Sequence, residues 1–293
     1  MQYRSADLHA SMGDRFGAFK LLGRGGEGAV LSAWDRVRKH DVALKLARDT
    51  GEPGLWERFE REYQILATTR SPLLVTVYSH GKVTLRPAGG EPGDHFWYTM
   101  EKCACSLRQS LRTLDLSARL SVALQMLDAL SLLHVKHIAH RDIKPENLFL
   151  ASAGRSSPQV KIGDFGIATL TRVAPNSTGG TVYGSPAYVA PERWREDSDA
   201  DWRPADQYAA GIVLFEILSS GALPLDFSGG ERRGHERSGV RPLSIPERRG
   251  RRTPEVDKVI GQMLAKRPDC RFRDLAECKR ELLAALAMDG VVD

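Results

Sequence analysis

The chain has 293 residues, 42% hydrophobic and 27% charged, enough apolar material for a sizeable core in one large domain or two small ones. Its four cysteines, Cys103, Cys105, Cys270 and Cys278, match neither a C-x-x-C zinc or redox site nor a framework of bridges, which excludes a disulfide-stapled fold and favours a reducing, cytoplasmic setting. The formal net charge of +5 is local, because eight arginines face three glutamates between Glu231 and Arg252, leaving 34 basic and 34 acidic residues elsewhere. The first 20 residues carry charges and no continuous apolar stretch, against a signal peptide. The longest apolar run, Ala209 to Leu218, is broken by Glu216 and is too short to cross a bilayer, so it predicts a buried core helix, and no membrane partner is expected.

From Phe16 to Ala47, short apolar runs flank a glycine cluster, and Lys20 to Leu22, Ala29 to Trp34 and Asp41 to Leu46 predict strands of an antiparallel sheet. Between the first two lies Gly23-Arg24-Gly25-Gly26-Glu27-Gly28-Ala29-Val30, a G-x-G-x-x-G-x-V string whose missing side chains would let backbone amides approach phosphate oxygens. A glycine-rich hairpin turn explains it as well. A dinucleotide site is disfavoured, since a strand follows the glycines where that fold needs a helix. Val42-Ala43-Leu44-Lys45 places a lysine on the third strand, where the ordinary reading is a solvated edge residue.

After a turn at Thr50 to Gly54, Leu55, Phe59, Glu62 and Leu66 recur on one helical face. Glu62 therefore stands in an apolar stripe, where a carboxylate is very costly without a cation. Lys45, if it projects inward, is that cation. Leu73 to Ser79 and Phe96 to Met100 predict two more strands, joined by the Pro- and Gly-rich loop from Arg86 to Gly93. Beyond about residue 102 the pattern turns helical, with Leu120, Ala123, Leu124 and Leu127 marking a long amphipathic helix and three more predicted over Ala209 to Ser219, Thr253 to Leu264 and Arg273 to Ala287. Thr253 reads as a hydroxyl cap with Pro254 at the first helical position.

Two polar stretches interrupt this scaffold. His140-Arg141-Asp142-Ile143-Lys144-Pro145-Glu146-Asn147-Leu148 follows the long helix and precedes a short strand, so its proline and polar residues make a loop from which Asp142, Lys144 and Asn147 converge. Lys161-Ile162-Gly163-Asp164-Phe165-Gly166 puts another carboxylate at the end of the next strand. Asn147 and Asp164 offer the hard oxygen ligands that magnesium prefers.

With these motifs in order, the chain resembles the eukaryotic-type serine/threonine protein kinase family over nearly its whole length. Ala190-Pro191-Glu192 stands where the family has A-P-E, Asp206 opens the anchoring apolar helix, and Arg271 stands where an arginine pairs with the glutamate, here Glu192. The resemblance implies an α+β, two-lobed kinase-like fold: an extension over 1–15, a small antiparallel β lobe with one main helix over 16–102, and a larger, mainly α lobe over 103–289. It implies that Asp142 accepts or orients the substrate hydroxyl proton, Lys144 steadies the transferring phosphoryl group, and Asn147 and Asp164 hold Mg2+, with Mn2+ as a substitute. Lys45, paired to Glu62, would contact the α- and β-phosphates of ATP. Gly23, Gly25, Gly28 and Val30 would cover the nucleotide, Ala43 and Leu148 would line it, and Met100 would back the adenine, with the backbone at Glu101 and Cys103 bonding the base.

Lys144-Pro145-Glu146-Asn147 and Gly184-Ser185-Pro186-Ala187-Tyr188 look like the serine/threonine forms of the catalytic and substrate-docking loops, so protein substrates are expected. The alternatives are a catalytically weak kinase-like scaffold, which intact Lys45, Glu62, Asp142, Asn147 and Asp164 argue against, and a small-molecule phosphotransferase, which the docking loop argues against. Glu27 is a departure, an acid facing the triphosphate. The linker Lys102-Cys103-Ala104-Cys105-Ser106 is another, short and without the usual glycines, with Ser106 the candidate at the ribose. Arg141, directly before Asp142, reads as an unpaired cation awaiting a phosphate on the activation segment, with Thr181 the first candidate, Thr178 the second, and autophosphorylation the expected source. The Glu231 to Arg252 stretch reads as a mobile solvated loop in preference to a docking site for an acidic protein; nucleic acid is not expected.

Overall fold

The computed structural model describes residues 5–24, 28–47, 55–85, 92–152, 158–165, 186–194 and 201–292. The chain divides into two compact units, Met1–Cys103 and Ala104–Asp293.

The first unit consists of helix α1 (Ser5–Met12), strands β1 (Phe16–Arg24), β2 (Gly28–Asp35) and β3 (His40–Ala47), helix α2 (Leu55–Thr68), and strands β4 (Val77–Leu85) and β5 (Gly93–Glu101). All neighbouring strands are antiparallel, in the order β1-β2-β3-β5-β4. The last six residues of β3 are all buried, as befits a central strand covered on both faces. Its alternation assigns the two faces: Val42, Leu44 and Leu46 pack with Leu8 and Met12 of α1, whereas Ala47 packs with Phe59 of α2 and Tyr98. Lys45 shares the face of Ala47, which turns it toward α2. At Gly28 a Cβ would lie 2.0 Å from the Leu46 carbonyl oxygen, so only glycine permits the β2–β3 approach there.

One expected strand is displaced. Leu73 to Ser79 does not form it; Leu74 and Val75 are buried in a turn, with the Leu74 N–H donating to the Ser71 carbonyl at 3.1 Å, and β4 begins only at Val77. A short apolar run reports burial, and a core turn satisfies that as well as a strand does. The loop of 86–91 and the turn of 50–54 lie outside the described residues.

The second unit begins with β6 (Cys105–Ser106) and α3 (Leu107–Ser110), followed by the long α4 (Leu116–Val135), the hairpin β7 (Leu148–Leu150) and β8 (Val160–Ile162), and helices α5 (Arg203–Leu218), α6 (Glu231–Arg237), α7 (Pro254–Met263) and α8 (Leu275–Met288). Fourteen of the 16 residues of α5 are buried, the signature of a helix enclosed on every side. By length and composition α4 could cross a membrane; ten of its 20 residues are buried within this unit, including Arg119, whose guanidinium bonds the Ile217 and Leu218 carbonyls and pairs with Glu247.

The start of α7 corrects another expectation. Pro254 does occupy the first turn, but Thr253 makes no side-chain cap, and its buried hydroxyl has no partner. The Asp289 carboxylate, just past α8, caps α7 instead, accepting from the N–H groups of Val256 at 2.9 Å and Glu255 at 3.1 Å. Replacing Asp289 by Ala is expected to cost about 1 kcal/mol, the typical worth of a cap. Thr253→Val is expected to be neutral or stabilising, because it removes a buried hydroxyl that bonds nothing. Urea unfolding of the two variants checks both; a larger loss in the valine variant would restore Thr253 as the cap.

The Glu231–Arg252 stretch is not a solvated loop. It forms α6 and the turn Pro246–Arg248, and buries His235, Leu243 and Ile245. Its apolar residues are few, but Leu243 and Ile245 are anchored in the core, which composition averages away.

Candidate active site

In the first unit, strand register gathers the expected nucleotide-side residues. Val30 and Tyr98 lie directly opposite Lys45 in the ladders β2–β3 and β3–β5, and Met100 lies opposite Ala43. Directly opposed residues share a face, as do residues two apart on one strand, so Val30, Ala43, Lys45 and Met100 occupy the face that α2 covers. Lys45 Nζ donates to both oxygens of Glu62, at 2.8 and 3.1 Å, with side-chain exposures of 8% and 3%. The Tyr98 hydroxyl donates to the same carboxylate at 2.9 Å. The burial problem posed by Glu62 is thus solved by a cation and a hydroxyl together. Gly23, one residue before the end of β1, lies opposite Val30, whereas Gly25 and Glu27 lie outside the described residues. The Glu101 N–H is taken by the Thr76 carbonyl at 2.8 Å, so a bond from Glu101 to a base must use its carbonyl. Cys103 is half-buried. Ser106 has its N–H held by the Gln109 side chain at the start of α3.

In the second unit, the loop after α4 is held by Asp206 in the first turn of α5. Its carboxylate accepts from the backbone N–H of His140 and of Arg141, each at 2.7 Å, and bonds His134 Nε2 at 2.9 Å. That clamp holds Arg141 at φ +73°, a left-handed conformation that costs a non-glycine residue of order 1 kcal/mol or more. His140 is fully buried between Asp142 and Gly163. The Asp142 N–H donates to its Nδ1 at 3.3 Å, so the proton sits on Nε2 and reaches the Gly163 carbonyl at 3.2 Å. Burial pushes the His140 pKa down, in keeping with this neutral tautomer.

Lys144 Nζ lies 2.6 Å from Asp142 Oδ2. Asn147 donates through Nδ2 to the Asp142 carbonyl at 2.8 Å and to Oδ2 at 2.9 Å. A carbonyl can only accept, so the amide orientation is fixed and Oδ1 remains for another ligand. The hairpin does the rest: β7 and β8 are antiparallel, with Leu148 opposite Ile162, so Asn147 before β7 and Asp164 after β8 emerge at the same end. The Gly163 N–H donates to the Asn147 carbonyl at 3.2 Å, and Asp164 stands at φ +60°. Leu148 is buried at the start of β7.

A family model for the protein kinase domain matches residues 16–281. The chain belongs to the protein kinase family. It is 31% identical over 280 residues to the serine/threonine-protein kinase PknB of Mycolicibacterium smegmatis, covering 93% of this chain and 43% of that protein. To the serine/threonine-protein kinase Pkn1 of Myxococcus xanthus it is 32% identical over 287 residues, covering 94% and 39%. The chain thus spans less than half the length of these curated relatives.

Around Tyr188 and α6 this kinase domain holds polar residues that sequence reasoning missed. Arg108 of α3 donates to Glu146 at 2.7 Å, pairs with Glu216 of α5, and meets the Tyr188 hydroxyl, which itself donates to Glu216 at 2.7 Å. Burial pushes the Tyr188 hydroxyl pKa up, reinforced by Glu216, so it stays a donor. The signal was present: Glu216 interrupts an apolar run as Glu62 does, and asks for a cation in the same way. His235 of α6 was missed too. Its ring lies within 3.0 Å of the Tyr208 hydroxyl through Nδ1, and its Nε2 donates to the Pro186 carbonyl at 2.8 Å. Burial, more than its neighbours Glu231 and Lys266, sets its pKa down to about 4, so the ring is neutral at physiological pH.

The Glu192–Arg271 pair is present and bidentate, at 2.7 and 2.8 Å. Arg141 is not the unpaired cation expected: its guanidinium lies over the Trp202 ring, 5.0 Å from the centroid, with Arg193 at 3.7 Å from the same ring. Aromatic partners of this kind leave no mark in local sequence. Thr178 and Thr181 lie outside the described residues.

Proposed function

We propose that this chain transfers the γ-phosphoryl group of ATP to serine and threonine hydroxyls of proteins. The observation that carries the reading is the cluster around Asp142, in which one carboxylate is held by Lys144 and by the same Asn147 that can ligate a cation. The donor set fits magnesium. Asn147 Oδ1 and the Asp164 carboxylate supply hard oxygens, as suits an ion that takes its other ligands from water and phosphate. Bound magnesium, or manganese in its place, supplies charge neutralisation on the phosphates.

The residues then divide the work. Lys45, oriented by Glu62, contacts the α- and β-phosphates. Asp142 orients the incoming hydroxyl and accepts its proton as the oxygen bonds to the γ-phosphorus and the bond from that phosphorus to the bridging oxygen breaks, releasing ADP. Lys144 turns from the carboxylate toward the negative charge on the moving phosphoryl group. Most of the acceleration is positioning and electrostatics. Serine/threonine selectivity is supported by Lys144-Pro145-Glu146-Asn147 and by the names of the relatives.

A phosphate on Thr181, or secondarily Thr178, placed there by autophosphorylation, is drawn to Arg141 and stabilises the active loop. The compartment is cytoplasmic, and an acidic partner docks at a site within the Glu231–Arg252 stretch. Incubation with ATP, magnesium and a generic protein substrate, followed by mass spectrometry of the product, is expected to give phosphoserine and phosphothreonine only when magnesium is present. Dominant phosphotyrosine would overturn the selectivity, and folded protein that fails to bind ATP with magnesium would overturn the activity.

A further inference from the structure

The fold splits the arginine-rich stretch into two places. Arg248 donates to the Asp289 and Gly290 carbonyls beyond α8, which fixes the neighbouring Arg249, Arg251 and Arg252 near that end of the unit. Helix α6 is instead pinned to the Pro186–Trp194 stretch. His235 Nε2 bonds the Pro186 carbonyl, and its ring lies 6.3 Å from that of Trp194 and 5.0 Å from that of Phe227. Gly234 seats the helix: a Cβ there would stand 2.4 Å from the Phe227 ring. The buried side of α6 is thereby fixed against the docking segment, and its other side carries Arg232, Arg233 and Arg237, all exposed.

Arg232 is paired with Glu236 at 3.1 Å. Arg233 and Arg237, one turn apart, have no acidic partner among the described residues. Like charges at this spacing repel, and an incoming carboxylate relieves the repulsion. Their exposure makes each contact weak, salt-sensitive and suited to encounter rather than chemistry.

Resting on the kinase reading, we infer that Arg233 and Arg237 recognise the acidic flank of a protein substrate, so that this kinase selects hydroxyls set in Asp- and Glu-rich segments. Two guanidiniums on one short helix beside the docking segment suit a peptide flank. A nucleic acid would call for a longer basic track with aromatic platforms.

The test uses the whole chain and three peptides that share one acceptor and differ only in flanks of glutamate, glutamine or lysine. Steady-state kinetics are paired with an anisotropy titration of the labelled glutamate peptide at low and physiological salt. The glutamate peptide is expected to show a KM about tenfold below that of the glutamine peptide with a similar kcat, the mark of binding made equally in ground and transition states. In Arg233→Gln/Arg237→Gln the ratio of the two KM values collapses toward one. In Arg233→Glu/Arg237→Glu the preference passes to the lysine peptide, a gain that misfolding cannot produce. The triple variant Arg249→Gln/Arg251→Gln/Arg252→Gln keeps the wild-type ratio.

Equal KM values in the wild type, a Gln/Gln variant that weakens both peptides alike, or the triple variant reproducing its effect would overturn the inference. So would displacement of the labelled peptide by single-stranded DNA or anionic vesicles more effectively than by unlabelled peptide. If no peptide is phosphorylated, the kinase reading fails, and the titration still decides docking: salt-sensitive binding lost in the Gln/Gln variant supports it, and binding retained there refutes it.

Discussion

Replacing Asp142 by Asn is expected to lower the rate of phosphoryl transfer by about two to four orders of magnitude, the usual worth of a positioned general base, with little change in the folded structure. The amide has nearly the shape of the carboxylate, and its oxygen can still accept from Asn147 Nδ2, which lies 2.9 Å from Asp142 Oδ2. What it loses is charge. An amide oxygen has almost no affinity for the hydroxyl proton, and it no longer attracts the Lys144 ammonium that sits 2.6 Å away. Lys144 is then freer to meet ATP, so nucleotide affinity is expected to hold or rise slightly while kcat collapses. Initial rates, ATP titration and thermal unfolding on one preparation separate these effects. A rate within threefold of wild type would move the base to another residue; a matching drop in thermal stability would make Asp142 a structural anchor.

The parts of this site that could be read from sequence are those in which burial and charge conflict within one element. Glu62 recurs with Phe59 and Leu66 on a helical face, so its need for a cation is visible without any partner in view, and Lys45 on a buried strand has the converse need. The Asp142, Asn147 and Asp164 loops were legible for a different reason: a hairpin returns the chain to where it began, so two short motifs around β7 and β8 converge by local geometry alone. Partners distant in sequence and chosen by helix packing were not legible. Nothing near Thr253 announces that Asp289, 36 positions on in this numbering, takes over the cap. Nothing near Arg141 announces Trp202. Glu216 could have been read like Glu62, but its cation comes from Arg108 in a four-residue helix whose own pattern is too short to show a face. The arginine-rich stretch failed for the opposite reason, since its net charge masked three buried anchors.

Arg271→Met is expected to cost about 3–5 kcal/mol of stability, the range seen when a buried ion pair loses one member. The Arg271 side chain is fully buried. Four of its five N–H groups are used, since besides the two Glu192 bonds it donates to the Ala265 carbonyl at 3.0 Å and the Pro204 carbonyl at 2.8 Å, and it lies over the Tyr208 ring at 4.9 Å. Methionine fills much of the volume and satisfies none of these oxygens. Glu192, at 20% side-chain exposure, can rehydrate, so Glu192→Gln is expected to cost less than Arg271→Met even though it leaves a guanidinium short of its counter-charge. The double variant Arg271→Met/Glu192→Met is expected to be more stable than the sum of the two single losses, because the desolvated charge disappears along with its partner. For a unit of this size 1 kcal/mol moves Tm by about 2–4 °C, so Arg271→Met is expected to melt on the order of 10 °C earlier. The Pro191–Trp194 turn is what Glu192 ties to Arg271, and α6 seats on Trp194, so the same variant is expected to raise the KM for protein substrate before it changes the KM for ATP. A Tm shift under about 2 °C, or equal effects on the two KM values, would show that other contacts hold this turn.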